Sequence, residues 1–353
     1  MKKNILAILI PGLFHCLNAQ AFVPEVNMKL YDAQISMSPI EQKKLIKEGE
    51  DLYARTMNII TSKEFWGKQG VFMGIDEETQ GSLAYGMALN DSSDLDVGFV
   101  YKYNGGESQK NIDAFTLKQE ALEAMKSTLG DTYTFTIKYP VINITGNGVD
   151  IDVAFFNELM KSTDVCSVSN RCSEMNVGVD DKTSAWNLSE RLSLYKKFDT
   201  VFSTNSDKRT IINRVGKLLK KWRSIQFYRD EIKVPSIALV SGLYQYVDYL
   251  NNSSQTDYVN SIELLSNTVS YMLKNDFNNS NCNDVDHMVI NLPVYQKDQN
   301  LLDKMPDRNK KELCNAMVDF NTVLQKAASL NTSPEDSIDM LIPYLGPIPY
   351  KGE

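Results

Sequence analysis

Hydrophobic spacing predicts a change of structural type along the chain. An apolar helical periodicity runs through residues 28–70, and Ser38-Pro39 with Glu41 predicts a helix start within it. Strand-like runs follow at 95–101, 133–145 and 149–156, and a helical pattern at 114–129 lies between the first two. A helix mixed with strands in this way predicts an α/β unit of mixed type in the first half of the chain.

After about residue 185 the pattern becomes mostly helical. Apolar residues recur at alternating spacings of four and three, which predicts an amphipathic helix; they are Ile211, Val215, Leu218, Trp222 and Ile225. Pro235 interrupts the pattern, and a second apolar helix is predicted over 237–250. Trp222 lies in the apolar stripe, so we expect it in the core.

Two carboxylates interrupt the apolar run at 95–101. Asp94 and Asp96 are two positions apart, so in a strand they share one face, while Leu95 and its alternate neighbours share the other. Two carboxylates so close repel each other unless a positive charge lies between them. Mg²⁺ is the natural occupant because it prefers oxygen ligands and phosphate-bearing substrates.

A second strand repeats this arrangement. Asp150 and Asp152 share one face of the run at 149–156. A third carboxylate beside the first two completes a two-metal site for in-line phosphoryl displacement. Such a site needs no histidine, and the chain has only His15 and His287.

A Gly-Ser pair precedes the first acidic strand. Gly81 allows close backbone approach, and a helix starting at Ser82 would direct backbone N–H groups and a hydroxyl at a triphosphate. A lone Gly-Ser is usually a turn, and a lone Asp-x-Asp is usually a solvated loop. The combination of Gly-Ser, Asp-x-Asp and a later Asp strand is much more specific.

Composition narrows the range of partners. The chain has 353 residues and a net charge of −8, and 42% of its residues are hydrophobic. Proteins that bind long nucleic acid are usually basic, so small substrates are favoured. One basic stripe exists, since Arg214, Lys217 and Lys221 lie on one side of the amphipathic helix with Lys220 at its edge. A solvated helix face is the ordinary interpretation of that stripe.

The N-terminus resembles an export signal. Lys2 and Lys3 precede an apolar stretch over 5–17, and Ala19-Gln20-Ala21 offers a small-x-small cleavage site. The alternative is a cytoplasmic protein that starts at Met28. Past the leader no window of the sequence predicts a membrane helix.

The cysteines bear on whether the protein works in an oxidising or a reducing compartment. Four cysteines lie past residue 21, and two of them, Cys166 and Cys172, bracket a short polar loop. In an oxidising compartment these two could form a disulfide. Free thiols are an equally ordinary interpretation.

The motif Gly81-Ser82, Asp94-Leu95-Asp96 and Asp150 resembles that of the polymerase β-type nucleotidyltransferase superfamily. Segments 30–45 and 208–227, with 234–240 after it, are more narrowly similar to the bacterial cGAS/DncV-like nucleotidyltransferases. That family makes cyclic di- or oligonucleotide signals in anti-phage defence.

The resemblance implies an α+β fold with an active site in a cleft between two lobes. The leader would cover 1–21, a nucleotidyltransferase lobe with a mixed sheet 28–185, and a helical lobe 186–347. Two Mg²⁺ (or Mn²⁺) ions would be held by Asp94, Asp96 and Asp150. The donor nucleotide would be bound by Gln80, Gly81, Ser82, Lys220 and Ser236. The implied substrates are ATP or GTP, with a protein activator as a further partner.

Three alternatives accompany this interpretation. Alignment to different branches of the superfamily favours either Asp150 or Asp152 as the third metal ligand, and we take Asp150. The enzyme could instead add nucleotides linearly to RNA, a small molecule or a protein. The leader also admits an exported, non-catalytic effector on the same fold.

Overall fold

The structure is a computed structural model. It describes residues 23–60, 75–91, 95–103, 114–137, 141–146, 148–160, 173–178, 186–188, 191–202, 206–228, 232–253, 260–293, 300–329 and 331–350. The predictions for the leader, for Asp94 and for the cysteine pair Cys166 and Cys172 lie outside these residues.

The described residues contain ten α-helices. They are α1 (Glu25–Ile35), α2 (Pro39–Ile60), α3 (Gly81–Ala84), α4 (Ala114–Leu129), α5 (Arg191–Phe202), α6 (Ser206–Gln226), α7 (Ser236–Asn252), α8 (Ser261–Asn275), α9 (Asp307–Ala327) and α10 (Pro334–Leu345). No described helix combines the length and the apolar character needed to cross a bilayer.

Seven strands of the described residues form one mixed sheet. They are β1 (Ile75–Gln80), β2 (Leu95–Tyr103), β3 (Thr134–Ile137), β4 (Val141–Gly146), β5 (Val149–Met160), β6 (Ser173–Gly178) and β7 (Trp186–Leu188). The order is β1-β2-β5-β4-β3, with β6 beside the later part of β5 and β7 beside β6. The β2–β5 pair is parallel and the other pairs are antiparallel.

Most of the predicted elements are confirmed, with two corrections. The helix at 114–129 and the strands starting at 95 and 149 are present, but the run 133–145 forms two antiparallel strands. The helical pattern over 28–70 forms two helices in the described residues and not one continuous helix, because α1 ends at Ile35 and α2 begins at Pro39. The proline disfavours helical backbone at the residue before it.

The start of α2 carries a reciprocal cap. The backbone N–H of Glu41 donates to Ser38 Oγ at 3.2 Å, and the N–H of Ser38 donates to Glu41 Oε2 at 2.8 Å. Each side chain thus satisfies one backbone donor that the helix cannot satisfy itself. The predicted helix start at Ser38-Pro39 is therefore confirmed.

One face of the sheet is apolar and packs against α2 and α4. Leu95, Ile151 and Val153 are almost fully buried there, together with Leu52 of α2 and Met125 of α4. The alternation of apolar and acidic residues in β2 and β5 therefore places the carboxylates on the opposite face, as the sequence predicts.

The helices of the second half share a separate core with α1. Trp222 is fully buried and stacks on Phe320 with ring centroids 5.2 Å apart, which confirms its predicted core position. Met28 and Tyr31 of α1 belong to the same apolar cluster. The boundary between lobes at residues 185 and 186 stays a prediction.

The interpretation of the α6 stripe as solvated is wrong for three of its cations, since Arg214, Lys217 and Lys220 are all buried. Arg214 is 3% exposed and bonds the carboxylate of Glu25 in α1, and it also donates to Ser261 Oγ at 2.8 Å. Lys217 lies 2.6 Å from Asp32 Oδ1. Arg214 and Lys217 are buried because α1 brings two carboxylates onto them.

A disulfide joins Cys282, in the loop after α8, to Cys314 in α9. Both residues are buried. The sequence predicts a possible disulfide only for Cys166 and Cys172, which lie close together in the chain. Cys282 and Cys314 are 32 positions apart, so no local pattern links them. The pairing depends on the fold bringing the loop onto α9.

Candidate functional site

A row of polar residues crosses four adjacent strands on the sheet. Gln80 of β1 is the Cα partner of Asp96 in β2, and Asp96 is the partner of Asp152 in β5. Asp152 is in turn the partner of Asn143 in β4. Paired residues in a sheet share a face, so Asp96, Asp152 and Asn143 are lateral neighbours.

Asp150 extends this row along β5. It lies two positions before Asp152, hence on the same face, and is the Cα partner of Thr145. Its side chain is exposed, whereas those of Asp96 and Asp152 are partly buried. The structure therefore brings Gln80, Asp96 and both candidate third carboxylates into one region.

Asn143 is a member of the site that sequence reasoning missed. Its Nδ2 donates to Asp150 Oδ1 at 2.6 Å and to Asp152 Oδ1 at 2.8 Å. The sequence signal was an asparagine between Ile142 and Ile144, because Asn is disfavoured in strands. It became meaningful only with the strand register known.

The Gly-Ser motif lies directly beside this row. Helix α3 begins at Gly81, the residue after Gln80, so the turn follows immediately from the strand that pairs with Asp96. Ser82 is partly buried, and its carbonyl accepts from the N–H of Met87 at 2.8 Å. The helix predicted to start at Ser82 begins one residue earlier, at Gly81, and the strand β1 before it was not predicted from the sequence.

Lys220 approaches the same segment from α6. Its side chain is buried, and Nζ donates to the carbonyl oxygen of Met87 at 3.0 Å. Met87 follows α3 by three residues, so the ammonium group lies near the chain that leaves the Gly-Ser turn. The role of Lys220 as a triphosphate contact stays a prediction.

Ser236 is the first residue of α7 and bonds to a residue that sequence reasoning had not singled out. Its Oγ accepts a hydrogen bond from Nη1 of Arg223, which also donates to the carbonyl of Val234 at 3.1 Å. Arg223 lies three positions after Lys220 on α6, a spacing that places both on one side of the helix. The role of Ser236 on phosphate stays a prediction.

The donor set of the polar face suits a hard cation. Asp96, Asp150 and Asp152 offer only oxygen ligands, which Mg²⁺ and Mn²⁺ accept. Among the described residues no group of three His, Cys, Asp or Glu side chains is close enough to bind an ion. Asp94, the remaining predicted ligand, lies outside those residues.

Solved structures similar to this chain include a CD-NTase and a cyclic AMP-GMP synthase. CdnC of E. coli MS115-1, in complex with HORMA-deltaN, is 14% identical over 93% of this chain and 98% of its own, with a TM-score of 0.63. The CD-NTase CdnG of Bradyrhizobium diazoefficiens, in complex with GTP, is 12% identical over 91% and 94%, with a TM-score of 0.64.

The Vibrio cholerae DncV cyclic AMP-GMP synthase, in complex with the linear intermediate 5' pppA(3',5')pG, is also similar. It is 12% identical over 94% of this chain and 97% of its own, with a TM-score of 0.66. No protein-family model and no curated protein matches the sequence. The chain thus has the fold of the CD-NTases, and the predicted α+β fold is confirmed.

Proposed function

We propose that this chain is a nucleotidyltransferase that joins nucleoside triphosphates into a cyclic di- or oligonucleotide. The observation that carries the proposal is the lateral pairing of Asp96 with Asp152 on the polar face of the sheet, directly beside the Gly81-Ser82 turn. The shared fold supports it, because the similar structures include a cyclic AMP-GMP synthase.

The metal ligands in this proposal are Asp94, Asp96 and a carboxylate of β5. Asp152 is favoured by the register, since its Cα lies about 5 Å from that of Asp96, whereas that of Asp150 lies about 8 Å away. Asp150 is the third metal ligand predicted from the sequence, so Asp150 and Asp152 are the two candidates for this position. When bound, two Mg²⁺ or Mn²⁺ ions would stabilise charge on the attacking and leaving oxygens.

The remaining residues bind and orient the donor. Gln80, Gly81 and Ser82 lie where the strand enters α3, and the Ser82 hydroxyl can donate to a phosphate oxygen. Lys220 supplies a positive charge next to that segment, and Ser236 supplies a second hydroxyl. The active site would then lie in a cleft between the predicted lobes, 28–185 and 186–347.

The proposed reaction has two nucleotidyl-transfer steps. In the first, a ribose hydroxyl of one nucleotide loses its proton to solvent and attacks the α-phosphorus of the other, so that a new P–O bond forms and the bond to the leaving pyrophosphate breaks. A second, equivalent step closes the ring. ATP and GTP are the proposed substrates, and the net charge of −8 favours mononucleotide acceptors over long RNA.

The biological role is proposed by analogy with the same fold. We place the product in anti-phage defence signalling, the setting of the family that the motifs resemble. A protein activator belongs to the proposal as well, because CdnC is found in a complex with HORMA-deltaN.

The proposal includes export if the leader acts as a signal peptide, and the cytoplasm, where ATP and GTP are available, if translation starts at Met28. The buried disulfide between Cys282 and Cys314 favours the exported form. Disulfides persist in the periplasm and outside the cell and are rare in a reducing cytosol. Fractionation of cells expressing the full chain, with the mass of the mature protein, tests this point.

The function is tested by incubating the purified chain with all four radiolabelled nucleoside triphosphates and Mg²⁺ or Mn²⁺. Phosphatase treatment and chromatography then separate cyclic products, which resist the enzyme, from linear ones. The control is Asp94→Ala/Asp96→Ala. We expect a phosphatase-resistant product that the control lacks; a product that the control makes equally well would refute the mechanism.

A further inference from the structure

Asn143 occupies an unusual place in the sheet. It lies in β4 between Ile142 and Ile144, which are almost fully buried on the apolar face. Asn143 itself points to the opposite face and is only 5% exposed. A buried amide in a strand is unfavourable unless its hydrogen bonds are made, so its partners explain its presence.

Both partners of the Asn143 amide nitrogen are carboxylates. Nδ2 donates to Asp150 Oδ1 at 2.6 Å and to Asp152 Oδ1 at 2.8 Å. A carboxylate accepts but does not donate when ionised, so the nitrogen and not the oxygen of the amide must face them. The two N–H bonds of one nitrogen are thus divided between the two acidic residues of β5.

The Asn143 amide stabilises two neighbouring carboxylates without adding a positive charge. Asp150 and Asp152 lie on one face of β5, about 7 Å apart along the strand, and repel each other. A lysine or arginine at position 143 would pair with them and compete with a cation for the same oxygens. A neutral amide fixes the orientation of both side chains and leaves their negative charge in place.

We propose that Asn143 is a positioning residue that fixes the orientation of the β5 carboxylates for divalent-cation binding, holding them from the β4 side while Asp96 lies on the β2 side. The inference rests on the proposed function, because it assumes that the polar face binds Mg²⁺ or Mn²⁺. It adds a residue that the motif does not contain. Hydrogen bonds that orient metal-binding carboxylates commonly contribute about 10-fold to 100-fold in metal affinity.

The variant Asn143→Leu tests this role, because leucine is similar in volume and has no donor. Mn²⁺ binding is measured by calorimetry without nucleotide, alongside the Mn²⁺ concentration for half-maximal activity and the melting temperature. We expect Mn²⁺ affinity to fall by about 10-fold or more. Asn143→Ser, which keeps a short donor, should recover part of that loss.

The control is Thr136→Val. Thr136 is exposed on β3 as the Cα partner of Asn143, so the substitution changes the same region of the sheet without touching the carboxylates. Its Mn²⁺ affinity should equal that of the natural chain. If Asn143→Leu does not fold, the Mn²⁺ affinity of Asn143→Ser is compared with that of the natural chain. We then expect the affinity of Asn143→Ser to be several-fold lower.

The two proposals fail in different ways. Unchanged Mn²⁺ affinity in the folded Asn143 variants, with binding lost in Asp96→Asn, would refute the positioning role and leave the metal site intact. Absence of Mn²⁺ binding in the natural chain would refute both the metal site and the role of Asn143. A lower melting temperature with unchanged Mn²⁺ affinity would assign Asn143 to stability alone.

Discussion

Asp96 in β2 and Asp152 in β5 are direct neighbours in a parallel pair of strands. They are far apart in the sequence, and each belongs to its own Asp-x-Asp pair. Neighbouring strands lie about 4.8 Å apart, so these two carboxylates face one another more closely than any pair within one strand. This juxtaposition is the feature of the sheet that most resembles a cation site.

The register predicts an order among the acidic residues of β5. Asp152→Asn should reduce nucleotidyl transfer by at least about 100-fold, because it removes a proposed ligand beside Asp96. Asp150→Asn should cost less, since Asp150 is exposed and one pleat away. Turnover in saturating Mn²⁺ measures the difference, and Asp131→Asn, an exposed residue after α4, is the control.

The opposite order would identify Asp150 as the third ligand, as predicted from the sequence. Equal losses in both variants would indicate that the two carboxylates act together through Asn143, which bonds both of them. Melting temperatures of all three variants should stay within a few degrees of the natural chain, because no apolar contact is removed.

The N-terminal helix is held by buried charge, so its loss should destabilise the fold. Arg214 is 3% exposed, and Glu25 accepts from it while also accepting from the N–H of Ser261 at 2.9 Å. Glu25→Gln leaves a buried guanidinium with the more distant Asp32 at 3.5 Å. We expect the free energy of unfolding to fall by about 2 kcal/mol, allowing for the partial exposure of Glu25.

Glu312→Gln is the matched control for this prediction. Glu312 pairs at 2.8 Å with Arg308, whose side chain is largely exposed on α9, so the loss of this pair should cost less than about 0.5 kcal/mol. A chain starting at Met28 loses Glu25 together with the buried Val23, and should lose more than about 3 kcal/mol. Urea titration measures all three, and equal stability of the shortened chain would contradict the prediction.

The disulfide should stabilise the helical part of the molecule. Cys282 and Cys314 close a loop with a sequence separation of 32, and such a loop restricts the unfolded chain. The double variant Cys282→Ala/Cys314→Ala should lose about 3 to 4 kcal/mol. Denaturant unfolding with and without reductant provides the measurement.

Reductant should lower the stability of the natural chain and leave that of the double variant unchanged. The fully oxidised natural chain should also resist alkylation at Cys282 and Cys314 until it is reduced, which peptide mass spectrometry detects. Alkylation of both residues in the native, unreduced protein would show that the disulfide does not form.

A buried carboxyl at the end of α8 should make stability depend on pH. Burial raises the pKa of Asp276 from 3.8 to about 7, and its Oδ2 has no hydrogen-bond partner. The folded state therefore retains a proton that the unfolded state releases between these two values. The stability contributed by this group is greatest below pH 3.8, falls as the pH rises to about 7, and is constant above that.

Asp276→Asn should remove this contribution. We expect the variant to exceed the natural chain in unfolding free energy by roughly 4 kcal/mol at pH 8 and by roughly 2 kcal/mol at pH 5. Asp303→Asn, at an exposed position, should show the same pH profile as the natural chain. A constant difference between Asp276→Asn and the natural chain from pH 5 to 8 would show that Asp276 does not titrate in this range.

Local patterns in the sequence were sufficient for several features. The helix over Ala114–Leu129, the cap formed by Ser38 and Glu41, and the separation of acidic from apolar faces in two strands all follow from residues that are close in the chain. Each depends on backbone geometry with a fixed period, which the order of residues reveals directly. The helix start at the Gly81-Ser82 motif was predicted to within one residue, whereas the strand β1 before it was not predicted.

Tertiary structure decided the features that depend on distant partners. Strand register set Asp96 beside Asp152 and gave Asn143 its two carboxylates, and α1 supplied the charges that allow Arg214 to be buried. The disulfide likewise needs the loop after α8 to reach α9. Packing between elements remote in sequence determines strand pairing, the burial of charge and covalent cross-links. The local periodicity of the sequence therefore does not predict them.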